Sequence, residues 1–153
     1  HGQTLYNKQN IITGRKDIKL SDEGVKETIN ISKILKKYNF DFVFTSESSE
    51  SKDTCNIIKK ELKQNFNIVS SRKLNEKDYG YLKDKNKYEL ENIYTREKIL
   101  KWCKTYNGVP PNGESLYQVS IRCGDYFDNN IRNLIMSEKN ILFIASIEIS
   151  LSV

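Results

Sequence analysis

His1 is the only histidine of the chain, and Gly2, Thr4 and Asn7 follow it closely. An imidazole can attack a phosphoryl group and hold it as a phosphoramidate. A glycine beside it lets backbone approach a phosphate, and hydroxyl and amide side chains such as those of Thr4 and Asn7 can donate to phosphate oxygens. With one imidazole, sites built on several histidines and two-histidine proton relays are out of reach, so further proton transfer must run through carboxylates. Taken alone, a histidine at position 1 is more often a tag remnant or a frayed chain end. Cys55, Cys103 and Cys123 form no Cys-x-x-Cys pair. None has an arginine at the spacing of a cysteine-based phosphatase, and neither a Walker A nor a dinucleotide-binding glycine pattern occurs. Cys123 reads as core, and Cys103 has no histidine neighbour to activate it.

The chain that must position these groups has 153 residues, 37% hydrophobic and 29% charged, which suits one domain spanning 1–153. A mean hydropathy of -0.64 and the lack of any run of 18 apolar residues predict no membrane span. No basic stretch followed by an apolar one reads as a leader. Sparse, odd-numbered cysteines predict a reduced, cytoplasmic protein without structural zinc. A net charge of +5 and a pI near 9.0 favour anionic partners. Because Lys and Arg alternate with Asp and Glu, a small phosphorylated metabolite suits the chain better than nucleic acid or a membrane. Self-association stays open.

Ser21, followed by Asp22 and Glu23, predicts a helix from about 21 to 37, with Val25, Ile29, Ser32 and Leu35 on one face. Phe40 to Phe44 predicts a strand, and Thr45-Ser46 a cap for the helix carrying Cys55, Ile58 and Leu62. Ile68-Val69 predicts a second strand. Glu89 to Trp102 reads as one helix with Leu90, Ile93, Tyr94 and Leu100 inward. The Val109 to Gly113 loop precedes a long amphipathic helix from Leu116 to Leu134. The apolar run from Asn140 to Ala145 fits a strand buried on both faces. Strands alternating with helices imply a three-layer α/β/α sandwich around a mainly parallel sheet.

Three segments carry a family likeness. His1 to Asn7 with Thr13 to Gly24, then Leu74-Asn75-Glu76-Lys77-Asp78-Tyr79-Gly80, then Pro110 to Leu116, resemble in order and spacing the histidine phosphatase superfamily. Within it they are most similar to phosphoglycerate mutases that depend on 2,3-bisphosphoglycerate. The resemblance implies a phosphohistidine at His1, with Gly2, Thr4, Asn7, Thr13 and Gly14 lining the pocket. It implies Glu76 as general acid and base, and Lys77, Tyr79, Lys87 and Lys104 as anchors for phosphate or carboxylate. It further implies interconversion of 3- and 2-phosphoglycerate in glycolysis, primed by 2,3-bisphosphoglycerate and without a metal. On composition alone Glu76 is a solvated loop residue and each lysine a surface charge.

Departures from the family pattern set a second expectation. Glu50 stands where the family has a phosphate-clamping arginine, and Ile147 and Glu148 stand where it has its second histidine and the following glycine. Losing one donor of the oxyanion-hole type removes roughly 100- to 1000-fold in rate, so low activity is expected. Relative to the family, the strand and arginine before the nucleophile and the C-terminal helices are also expected to be missing. The Gly108 to Gly113 loop lacks a long insertion found in many mutases, which raises the weight of a broad-specificity phosphatase. A non-catalytic binder of a phosphorylated ligand or protein is the other alternative.

Overall fold

The computed structural model describes residues 1–13 and 18–145. Three strands form its sheet, in the order β2-β1-β3: β1 is Phe42–Thr45, β2 Asn67–Ser70 and β3 Ile141–Ile144. Both pairings are parallel, with Phe42 opposite Asn67 on one side and opposite Ile141 on the other. Parallel strands need crossovers, and helices supply them. Successive side chains of a strand point to opposite faces, and β1 shows it: Val43 packs with Cys55, Ile58, Leu62 and Ile144 on one face. Phe44 packs with Leu74, Ile131, Tyr126 and Phe143 on the other. Helices thus cover both faces, giving the three-layer α/β/α arrangement with a mainly parallel sheet.

Seven α-helices are present among the described residues: α1 Leu5–Lys8, α2 Asp22–Leu35, α3 Ser49–Leu62, α4 Lys87–Ile93, α5 Arg96–Lys104, α6 Leu116–Asn130 and α7 Arg132–Met136. Ser21 caps α2 by accepting from the Gly24 NH. The buried seam of α2 is made of small residues, Gly24, Thr28 and Ser32, and Val25, Ile29 and Leu35 sit half-buried beside it. α3 is capped by Ser48 rather than by Thr45-Ser46. Thr45 and Ser46 are buried at the strand end instead.

The single helix expected over Glu89 to Trp102 is two. Tyr94 is extended and Thr95 caps a fresh start by accepting from the Lys98 NH. That break resets the helical phase, so Ile99, Trp102 and Cys103 pack on Leu82 and Leu90, while Ile93 and Leu100 are exposed at 62% and 43%. The long helix likewise breaks at Ile131, which is fully buried between α6 and α7. β3 is only half-buried over Ile141–Phe143, because among the described residues it is paired on one side. No helix among the described residues is long and apolar enough to cross a membrane.

Candidate active site

His1, Glu50 and Glu76 reach one place by the same route. In open parallel sheets, ligands bind beyond the carboxyl ends of the strands. β1 ends at Thr45 and leads to Glu50 in the first turn of α3; β2 ends at Ser70 and leads through a 3-10 turn, Arg72–Leu74, to Glu76. β3 ends at Ile144, and the main-chain nitrogen of His1 donates to the next carbonyl, Ala145 O, at 3.0 Å. The three groups therefore gather over one end of the sheet.

The imidazole of His1 is exposed, and its Nδ1 lies 2.6 Å from the carbonyl oxygen of Gly2. A carbonyl can only accept, so Nδ1 carries a proton, and in the neutral ring Nε2 is then the nitrogen with the free lone pair. Gly2 is buried by close packing: its NH donates to Thr54 Oγ1 at 3.3 Å, and Thr54 Oγ1 donates to Glu50 O at 2.8 Å. Thr4 and Asn7 form the capping box of α1, in which the Thr4 NH and hydroxyl donate to Asn7 Oδ1 at 2.9 and 2.8 Å. Thr4 is 1% exposed, so its hydroxyl shapes the loop, while Asn7 is exposed. Thr13 is half-buried. Gly14, Ile147 and Glu148 lie outside the described residues.

Glu76 receives the NH of Lys77 and the hydroxyl of Tyr79, yet its Oε1 is buried with no hydrogen-bond partner. Burial raises its pKa to about 8; the negative charge of Glu50 adds to the rise, and the Arg122 cation opposes it. A carboxyl in that range can both give and take a proton near neutrality. The Tyr79 phenol is pushed up as well, by burial and then by the Glu76 charge. Glu50 is 2% exposed and is raised by burial, with its own backbone NH and the Ser48 and Ser49 hydroxyls holding it partly down.

Of the lysines singled out, Lys77 is 2% exposed. It donates to Trp102 O at 2.6 Å and to Gly108 O at 3.2 Å, so two of its three donors are spent on backbone. Burial lowers its pKa. Lys87 and Lys104 are exposed. All three lysines act on the Cys103 thiol, which burial nonetheless pushes up. Lys77 is therefore a buried staple of backbone rather than an exposed anchor, and the charges of Lys87 and Lys104 reach Cys103, next to Tyr79 in the Leu82 and Leu90 cluster.

Sequence reasoning missed Arg122 and the role of Glu114. Arg122 lies on α6 among Val119, Cys123 and Tyr126, and an arginine on an inward helix face is buried only when paired. That pattern was the available signal. No group of three His, Cys, Asp or Glu among the described residues could hold a metal ion.

The family model of the histidine phosphatase superfamily (branch 1) matches residues 1–145. The chain belongs to that superfamily. A protein named phosphoglycerate mutase from Schizosaccharomyces pombe is 36% identical over 148 residues, covering 95% of this chain and 70% of the relative. A 2,3-bisphosphoglycerate-dependent phosphoglycerate mutase from Borreliella afzelii is 44% identical over 114 residues, 72% of this chain and 46% of that protein. The solved phosphoglycerate mutase of Bacillus anthracis superposes with a TM-score of 0.81 at 20% identity, covering 95% of this chain and 71% of that one. A mycobacterial glucosyl-3-phosphoglycerate phosphatase superposes at 0.84 with 20% identity, covering 99% and 75%. The superfamily's three-layer fold is therefore shared by mutases and phosphatases alike.

Proposed function

We propose that this chain transfers phosphoryl groups through a phosphohistidine at His1, with Glu76 as acid and base, and that its substrates are 3- and 2-phosphoglycerate. The observation that carries the reading is the orphaned, buried Oε1 of Glu76 at the same end of the sheet as His1. A substrate hydroxyl would satisfy that oxygen. Nε2 attacks phosphorus as the phosphate ester's P–O bond breaks, and the leaving alkoxide takes the proton of Glu76. In the return direction Glu76 recovers the proton from the hydroxyl that attacks the phosphohistidine. The Nδ1–H bond to Gly2 O fixes the tautomer that keeps Nε2 nucleophilic, and the resulting cation is stabilised by that same carbonyl.

The donor set suits a bisphosphorylated acid on the Cys103 side, where Lys87 and Lys104 are exposed. 2,3-Bisphosphoglycerate supplies the phosphoryl group that first loads the histidine, and those two lysines would hold its second anionic end. Glu50 opposes an anion near His1, which favours a slow enzyme and supports a second reading, a phosphoglycerate-binding chain without turnover. The test is incubation with labelled 2,3-bisphosphoglycerate. An acid-labile, base-stable label absent from His1→Ala supports transfer. Melting raised by phosphoglycerate without any label supports the binder, and a label that survives in His1→Ala removes His1 as the carrier.

A further inference from the structure

We propose that Arg122, locked in a fork by Glu114, is the positioning residue that holds the Glu76 segment in place beside His1. The proposal rests on the acid and base role given to Glu76 above. Glu76 sits in a connection between elements, and such a segment has no ladder of its own to hold it. Its order comes from α6. Arg122 Nη2 donates to Asn75 O at 2.6 Å and to Glu76 O at 3.0 Å, and Nη1 donates to Lys73 O at 2.7 Å. One guanidinium thus fixes three carbonyls across four consecutive residues ending at Glu76.

Glu114 completes the frame from the other side. Its Oε1 accepts from Arg122 Nη2 at 2.8 Å and its Oε2 from Nε at 3.1 Å, the bidentate arrangement that only a planar guanidinium provides. The same Oε1 accepts from the Asp78 NH at 2.9 Å, and the Glu114 NH donates to Asp78 O at 2.8 Å. The backbone around Glu76 is therefore held on both sides. Both partners are largely buried, at 16% and 19% side-chain exposure, so removing either one leaves the other's charge buried and unpaired. Asn75 extends the frame to the neighbouring strand end, since its Oδ1 accepts from the Glu47 NH at 2.9 Å. The positive charge also reaches Glu76 and holds its carboxyl partly down.

Three variants separate positioning from mere stapling. Arg122→Lys keeps the charge and loses the fork, Arg122→Gln loses both, and Glu114→Gln releases the fork without touching the Glu76 backbone directly. Each is checked for a cooperative melt. His1 labelling from 2,3-bisphosphoglycerate, steady-state kinetics with 3-phosphoglycerate, and the carboxyl carbon-13 titration of Glu76 are then read in parallel. Arg122→Lys should load His1 to the normal extent but more slowly, lose about tenfold in kcat with KM unchanged, and leave the Glu76 midpoint in place. Arg122→Gln should move that midpoint upward. Folded variants with wild-type kcat and an unmoved Glu76 titration would overturn the proposal. If the wild type never labels His1, the transfer reading fails on its own; the midpoint in Arg122→Gln still decides, a rise supporting the frame around Glu76 and no change overturning it.

Discussion

A side chain on Gly2 would run into the carbonyl oxygen of Gly24, and one on Gly24 would run into the carbonyl of Gln3. The loop that carries His1 therefore rests directly on the first turn of α2. Ser21 seals the contact, donating to Gln3 O at 3.2 Å while its oxygen accepts from the Gly24 NH at 3.1 Å. Added methyl groups at such a seam force backbone to move, at a cost of about 1–3 kcal/mol. Gly24→Ala should lower the stability read from urea unfolding by that amount and impair His1 labelling although residue 24 never meets substrate. An unchanged urea midpoint would show that the loop can lift off α2 freely.

Lys77 and the pair Lys87 and Lys104 should separate cleanly on mutation. Lys77→Met leaves Trp102 O and Gly108 O without their donor in a buried site, which costs about 1–3 kcal/mol. Melting should fall in that variant. Lys87→Ala and Lys104→Ala remove exposed charges, so melting should hold while phosphoglycerate binding weakens, most at low salt where screening is least. Equal melting losses in all three would contradict this division of labour.

The same contrast shows how far the sequence could be read. The strands came through because Phe42–Thr45 and Ile141–Ile144 are short, apolar and β-branched or aromatic, and the cap at Ser21 came through because its hydroxyl serves backbone three residues on. The break at Tyr94 and Thr95 did not, since composition across it is uniformly helical and only the Thr95 cap marks it. The motif around Glu76 is legible in the sequence, but its burial, its orphaned oxygen and the Arg122 hydrogen bonds are tertiary facts. Arg122 lies 46 residues from Glu76, and no local pattern couples them. Thr4 and Asn7 were read as phosphate donors from their chemistry, and their mutual capping was hidden because a capping box is usually recognised by Glu or Gln at its third position.

Glu76 should make stability fall with pH. Its folded pKa of about 8 lies above the ordinary carboxyl value, so the folded state holds a proton that the unfolded chain has released between those two values. Stability from this group is complete below about pH 4.3 and is lost progressively up to about pH 8. Every tenfold difference in proton affinity between the folded and unfolded chain is worth about 1.4 kcal/mol, so the total is of the order of a few kcal/mol. Glu76→Gln should flatten that slope and gain on the wild type at pH 8, as read from urea unfolding across pH 4 to 9. A slope that persists unchanged in the variant would assign it to other groups.

Glu50 should oppose an anion beside His1. Its carboxyl is buried in the first turn of α3, where it acts on Glu76 and is held up by burial. Like charges disfavour one another's ionisation and repel an incoming phosphate. Lowering the pH neutralises these carboxyls, so the wild type should bind inorganic phosphate more tightly in mild acid than at pH 8. Glu50→Gln keeps the shape and removes the charge. It should improve phosphate affinity at pH 8 by about tenfold, equivalent to about 1.4 kcal/mol, improve it less in acid, where the Glu50 carboxyl is more protonated, and lower the Glu76 midpoint because the repelling neighbour is gone. Glu50→Arg reverses the sign and should go further in the same direction, with the rate of His1 labelling rising alongside affinity. Calorimetric titration of phosphate at the two pH values, with the Glu76 carboxyl followed by carbon-13 resonance, checks all three. Phosphate binding that is equally weak in wild type and both variants would place the anion site away from Glu50, on the Lys87 and Lys104 side alone.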